Sequence, residues 1–303
     1  MRVLVTGATG FIGGRLARVF RQRDVEVRCL VRDLHAAADL RALGCELREG
    51  DVTQPETLVG AAAGVDVAYY LVHLMRGGGE SFGAAERAAA SAFARMAKRD
   101  RVRRVVYLGG LGEQPSSQHL LSRGDTAAIL AREGPPLTYF RAGMVVGADS
   151  ASFRILRELV ERLPLIATPD WLQLRTQPIG IEDVIEYLVQ AAYTEEAAGR
   201  EIQIGGPDVL TYADLLDEMA LALGKEPRPR MRLPKVSPES SAQTVAAVTS
   251  EDDDLTEALI ESLATETIVT DPSAVELFDV RTEALSLTLS KALDEADSVV
   301  PAP

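Results

Sequence analysis

The chain opens on a short apolar run, Val3-Leu4-Val5, and then on Phe11, Ile12, Leu16, Val19 and Phe20 at helical spacing. An unbroken apolar run reads as a strand buried on both faces. Recurrence every three to four residues reads as an amphipathic helix. The two signals alternate as far as Gly147. They predict strands over 25–32, 45–52, 65–72, 103–110 and 137–147, and helices over 13–23, 34–43, 55–63, 84–99 and 118–133. The segment VDVAYYLV (65–72) is nearly all apolar and belongs inside the sheet, whereas CELREGDV (45–52) is short and edge-like. Pro55 suits the first turn of its helix, and Gly44 the end of the one before. Residues 76–83 form a glycine-rich loop. Strand and helix in alternation predict an α/β fold with a doubly wound parallel sheet.

Beyond Gly147 the pattern changes. A helix is expected over 151–163, then a stretch with three prolines, the only tryptophan (Trp171) and RTQP, then a helix over 181–193 that returns to the core. Residues 201–224 read as strand, loop and helix, with Thr211 and Asp214 at capping-box spacing. SPESSAQT (237–244) reads as a linker, followed by amphipathic helices in DLTEALIESLAT and EALSLTLSKALDEA and a fraying SVVPAP. No internal repeat is visible.

Between the first strand and the first helix stand Gly7, Gly10 and Gly13. Gly7 permits a tight turn at positive φ. Gly10 lets a phosphate approach the backbone, and Gly13 lets the helix pack against the strand. The helix N-terminus then offers unpaired N–H groups and a positive dipole end. Strand, glycine turn and helix together are the context of a dinucleotide site.

Composition narrows the setting. The chain has 303 residues, 47% hydrophobic and 25% charged, as in an ordinary globular protein. No apolar run is long enough to span a membrane, and the N-terminus does not read as a signal peptide. Cys29 and Cys45 suggest neither a disulfide framework nor a metal cluster, and point to a reducing cytoplasm. The net charge of −13 is uneven: residues 236–303 hold 15 acidic and 2 basic side chains, while residues 1–235 balance at 30 of each. A neutral body without a basic face argues against nucleic-acid binding. The acidity reads as a solvated helical appendage. Arg32, at the end of the second strand, suits the 2′-phosphate of NADP better than the ribose hydroxyl of NAD, although Asp33 beside it leaves NAD open.

TGATGFIG, with Thr before a GxxGxxG spacing, resembles the short-chain dehydrogenase/reductase superfamily. YLVH, VVYLGGLG, HLxSR, SASF, RTQPI and IQIGGPD resemble an atypical subgroup of NAD(P)H-binding, nucleoside-diphosphate-sugar epimerase-like proteins. The resemblance covers about residues 1–235 and continues in LIESLATETIVTDPSAVELF. It implies a Rossmann domain over 1–235, with substrate-lobe segments interleaved after about 148, and a smaller, mainly helical C-terminal lobe over 236–303. It further implies that Gly7, Thr9, Gly10, Phe11, Ile12 and Gly13 bind the cofactor, that Asp51 and Val52 meet the adenine, and that Leu71 and Val72 line it. Asp51 reads equally as a turn-former. His73 faces cofactor or substrate, or is structural.

Catalytic members of the superfamily carry a Ser after the fifth strand and Tyr-x-x-x-Lys on the next helix. Here Gly109 and Gly110 stand at the first position, and His119 and Arg123 hold the i,i+4 spacing of the second. His119 suits a proton donor near neutral pH. Arg123 suits a cofactor clamp but cannot titrate. Ser116, Ser117 and Ser122 are candidate hydroxyl partners, and Arg175 and Gln177 candidate substrate contacts. Two readings follow. One is an oxidoreductase acting on a small-molecule carbonyl or hydroxyl, with an epimerase as a variant. The other is a non-catalytic cofactor-binding protein, like NmrA-type sensors or the reductase-like accessory subunit of respiratory complex I. Oligomeric state is left open.

Overall fold

The computed structural model describes residues 1–73, 80–112, 118–233 and 236–299, excepting the side chains at 80–82, 118, 119, 239, 243, 254 and 299. Seven strands form one parallel sheet: β1 (Arg2–Thr6), β2 (Glu26–Val31), β3 (Glu46–Glu49), β4 (Val67–Tyr70), β5 (Arg104–Gly110), β6 (Leu137–Ala142) and β7 (Glu201–Ile204). Their order is β7-β6-β5-β4-β1-β2-β3, so the direction of winding reverses between β1 and β4. The strand read in EIQI extends the sheet by pairing with β6, Ile202 opposite Phe140.

Each strand divides its side chains between the two faces. Val3, Val5, Val67, Tyr69, Val106 and Leu108 face α1 (Phe11–Gln22) and, further along the chain, the helix Ile181–Ala191. Leu4, Ala68, Tyr70, Val105 and Tyr107 face the opposite layer. That layer holds two long helices, Glu80–Arg99 and Gln118–Glu133. In chain order the helices after α1 are α2 (Ala38–Ala42), α3 (Glu80–Arg99), α4 (Gln118–Glu133), α5 (Ala151–Arg162), α6 (Ile181–Ala191) and α7 (Tyr212–Ala222). Thr211 caps α7 in a capping box with Asp214, as its spacing predicts.

Three expected elements differ. The helix over 34–43 shortens to α2, because Asp33 accepts the His35 N–H at 2.7 Å and holds a turn there. The helix over 55–63 is one 3₁₀ turn, Pro55–Leu58, after which Gly60 takes φ +71° and a right-handed helix cannot continue. The linker over 237–244 is a helix, α8 (Pro238–Ala246). Ser237 Oγ accepts the Ser240 N–H at 3.2 Å and Pro238 starts the first turn. The glycine-rich loop lies outside the described residues as far as 79, and α3 already starts at Glu80.

The tail continues as α9 (Asp253–Ser262), α10 (Ser273–Leu277) and α11 (Leu285–Val299). It is not an appendage. Phe278 packs on Phe140 and Tyr187 of the main core, with ring centroids 5.5 and 5.6 Å away. Leu285, Leu289 and Leu293 join α5 and α7 in a third apolar cluster. Its acids meet arginines of the body: Glu251 with Arg154, Glu266 with Arg175, Glu295 with Arg15 and Asp297 with Arg157. The uneven charge is thus partly matched inside the fold, and residue 235 does not divide two separately packed units. Among the described residues no helix is long and apolar enough to cross a membrane.

Candidate cofactor and active site

Thr6 ties the glycine turn to the sheet. Its Oγ1 donates to the Tyr69 carbonyl at 2.9 Å and accepts the Leu71 N–H at 3.2 Å. Gly7 has φ +66°, and a Cβ on it would stand 2.3 Å from the Leu71 carbonyl oxygen. A Cβ on Gly13 would stand 2.3 Å from the Gly7 oxygen. Both glycines are therefore demanded by the packing. Gly10 is different: a Cβ there would meet only the Gly7 oxygen, at 3.2 Å. Gly10 begins α1 with no side-chain cap, and no acidic residue stands in the first turn. The first N–H groups of α1 are left for an anion, in a cradle without side chains. These residues fit a dinucleotide pyrophosphate. Phe11 and Ile12 line the same cavity, while Thr9 is exposed beside it.

At the far end of the turn lie the carboxyl ends of β2 and β3. Arg32 is exposed there, and the Asp33 carboxylate is engaged by the His35 N–H. Asp51 Oδ1 accepts both the N–H and the hydroxyl of Thr53 at 2.8 Å, so this carboxylate shapes a turn. Val52 is buried under it.

The glycine turn opens into a cavity of about 890 Å³. Leu71, His73, Gly109, Gly110, Leu120 and Arg123 line its reaction end. A Cβ on Gly110 would lie 2.5 Å from Leu120 Cδ2, so glycine here lets α4 approach the end of β5. A Cβ on Gly109 would lie 2.8 Å from the hydroxyl and ring of Tyr139. The tyrosine occupies the space a serine would need.

His73, at the end of β4, has its Nδ1 3.9 Å from Oε1 of the buried Glu86 on α3. Glu86 accepts a hydrogen bond from Ser122. Burial, together with the positive Arg123, pushes His73 down to about 4 despite Glu86, so it is neutral at pH 7. Burial by itself would raise Glu86; the neighbouring His73, the hydrogen bond from Ser122 and the positive Arg123 bring it below the usual carboxylate range. Tyr70 and Tyr107 bury their hydroxyls beside this cluster with no hydrogen-bond partner among the described residues. His119 stands in the first turn of α4, four residues before Arg123, and its side chain lies outside the described residues, as do Ser116 and Ser117.

Arg175 and Gln177 do not line the cavity, contrary to expectation. Arg175 is paired with Glu266 at 2.8 and 3.0 Å. The Gln177 side chain is spent on backbone, donating to the Gly206 carbonyl at 2.7 Å and accepting the Val269 N–H at 2.9 Å. Both fasten the tail to the body. Sequence reasoning missed Glu86, Tyr139 and the cavity walls from α5, α7, α8 and α9. Ser240, Ser241 and Thr244 share a wall with apolar residues of α9. The i, i+1, i+4 spacing of those hydroxyls was the available signal. Among the described residues no cluster of His, Cys, Asp or Glu could hold a metal ion.

Residues 7–133 match the NAD(P)H-binding family model. The chain is 26% identical over 230 residues to an NAD(P)H azoreductase of Xenophilus azovorans, covering 75% of each protein. A nucleoside-diphosphate-sugar epimerase structure from Staphylococcus aureus superposes with a TM-score of 0.77 at 18% identity, over 96% of this chain and 100% of that one. The Citrobacter sp. triphenylmethane reductase complexed with NADP(H) superposes with a TM-score of 0.75 at 20% identity, over 96% and 99%. The matched residues identify an NAD(P)H-binding domain, and the fold is shared with the epimerase and reductase structures. The two structural likenesses are of fold, and the family match covers the glycine turn, Arg123 and the helix that carries it. The family match points to NAD(P)H binding, and the relative matched over three quarters of the chain is an NAD(P)H azoreductase.

Proposed function

We propose that this protein is an NADP(H)-dependent oxidoreductase acting on the carbonyl or hydroxyl of a small molecule. The observation that carries the reading is one continuous cavity. It begins at the glycine turn, passes Arg123 and His73, and continues between walls from α5, α7 and α9. NADP(H), when bound, supplies the hydride. The chain's own groups do the rest. The α1 N-terminus and glycine turn hold the pyrophosphate, and Arg32 meets the 2′-phosphate while Asp33 is retained in its turn. Arg123 holds the nicotinamide half. In reduction the carbonyl carbon gains a C–H bond, its π pair moves to oxygen, and that oxygen takes a proton. We assign the proton to His119, which stands four residues before Arg123 on α4. The named reactions of the azoreductase and of the triphenylmethane reductase are reductions with the same cofactor class. The two buried, free cysteines fit a reducing compartment.

A second reading, a non-catalytic dinucleotide sensor, is favoured by Tyr139 filling the serine position at Gly109. The test is NADPH consumption by the purified protein with a panel of neutral ketones, aldehydes and quinones, beside calorimetric titration of NADPH and NADH. Turnover supports the oxidoreductase. Tight NADPH binding without turnover of any member supports the sensor.

A further inference from the structure

The cavity is much larger than the nicotinamide end requires. At about 890 Å³ it stands near the top of the range for small-molecule sites, about 300–1,000 Å³. The adenosine-end residues Arg32, Asp51 and Val52 are not part of its lining, so the volume runs from the glycine turn through the reaction end to the space past Arg123. Past Arg123 the walls are aliphatic and aromatic. Leu156 and Leu159 come from α5, Trp171 from the following turn, Leu216 from α7, Leu259 from α9 and Leu263 from just past its end.

Charge is scarce in this lining. Among the described lining residues, beyond His73 and Arg123 only Asp149 and Arg154 are charged, and both are paired, Asp149 with Arg15 at 2.8 Å and Arg154 with Glu251 at 3.0 Å. The neutral polar groups among the described residues include the hydroxyls of Ser152, Tyr212, Ser240, Ser241, Thr244 and Ser262. With Arg123 given to the nicotinamide half, a charged ligand would lose its water here among charges that are already paired. Outside, exposed Asp252 and Asp253 border the α8–α9 segment and disfavour anions further. A neutral apolar body would leave water with nothing to oppose it.

We infer that the chamber takes an uncharged, elongated, largely apolar molecule, with its one reactive carbonyl at the Arg123 end and its tail among α5, α7 and α9. This rests on the oxidoreductase reading for the chemistry, but not for the binding.

Trp171 is the sole tryptophan and lines the chamber, with its Nε1 donating to the Val236 carbonyl at 3.2 Å. Its fluorescence therefore reports occupancy directly. The probes are methyl n-alkyl ketones of rising chain length and the n-alkyl carboxylates of matching length, titrated into the NADP⁺-loaded protein. Each added methylene should tighten ketone binding roughly fourfold until the chamber is full. Carboxylates should bind at least about tenfold more weakly than ketones of equal length. Leu259→Phe, which fills the chamber, should bring the plateau to shorter chains and leave NADPH affinity unchanged. Leu159→Phe should do the same from the opposite wall, should the first variant fold poorly. Affinity independent of chain length, or carboxylates bound as well as ketones, would overturn the inference. NADPH consumption separates the two claims. Chain-length-dependent binding with no turnover overturns the oxidoreductase reading and keeps the chamber assignment. Turnover confined to short polar carbonyls keeps that reading and overturns the assignment.

Discussion

The ring of Tyr139 on β6 covers Gly109 on β5 so closely that a Cβ on the glycine would lie 2.8 Å from the tyrosine hydroxyl. Tyr139 also stacks on Tyr107, centroids 5.3 Å apart, which holds the ring in place. The serine of catalytic relatives is therefore absent for a steric reason, and its space is already filled. Gly109→Ser should destabilise the fold by about 1–3 kcal/mol, the usual cost of overpacking. Tyr139→Leu in the same chain should recover part of that loss. Denaturant unfolding of the single and double variants measures both. Equal stability of Gly109→Ser and wild type would show that the ring yields freely.

The glycine turn separates structural from ligand-binding glycines. Gly7→Ala combines positive φ with a clash on Leu71 and should cost at least about 1–3 kcal/mol of stability. Gly10→Asp should fold normally, because the space there is open, and should lose NADPH binding through charge and bulk. Thermal unfolding with calorimetric titration distinguishes them. Unchanged NADPH affinity in Gly10→Asp would place the pyrophosphate elsewhere.

Arg32 is exposed at the end of β2, and Asp33 is held in its own turn. A charge-assisted contact to the 2′-phosphate is worth about 1.5–3 kcal/mol. Arg32→Ala should lower NADP⁺ affinity about ten- to hundredfold and leave NAD⁺ affinity nearly unchanged. Equal losses for both would remove Arg32 from phosphate recognition.

The His73–Glu86 pair sets an acid limit. His73 is pushed down to about 4, below its unfolded value of about 6.5. Its contribution is fully present above about 6.5 and is lost as pH falls toward about 4. Glu86, held below the ordinary range, adds a loss with the same sign as it is protonated. Melting temperature should fall over this window, and His73→Gln should flatten the upper part of the decline. An unchanged slope in that variant would mean that His73 titrates normally.

Much of the fold could be read locally. Val3–Val5, the three glycines and the Phe11–Phe20 periodicity specify strand, turn and helix within one short stretch, and the fold keeps all three. The site was legible where backbone geometry makes it, at Gly7, Gly10 and Gly13. It was less legible where distant side chains meet. Gln177 looked available beside RTQP, but its partners Gly206 and Val269 are far along the chain. Glu86 is one of many charges on α3 until His73 and Ser122 are placed against it. The tail looked solvated because its apolar residues find their partners, such as Phe140 and Tyr187, only across the whole fold.

The proton donor is the centre of this account, and His119→Ala tests it directly. With a carbonyl that the wild type reduces, kcat should fall by about 10²–10⁴, the range for a lost general acid, while NADPH affinity stays within about twofold. The wild-type rate should follow a titration near neutral pH that the variant lacks. A variant whose kcat stays within about threefold of wild type would contradict the assignment of His119 as proton donor.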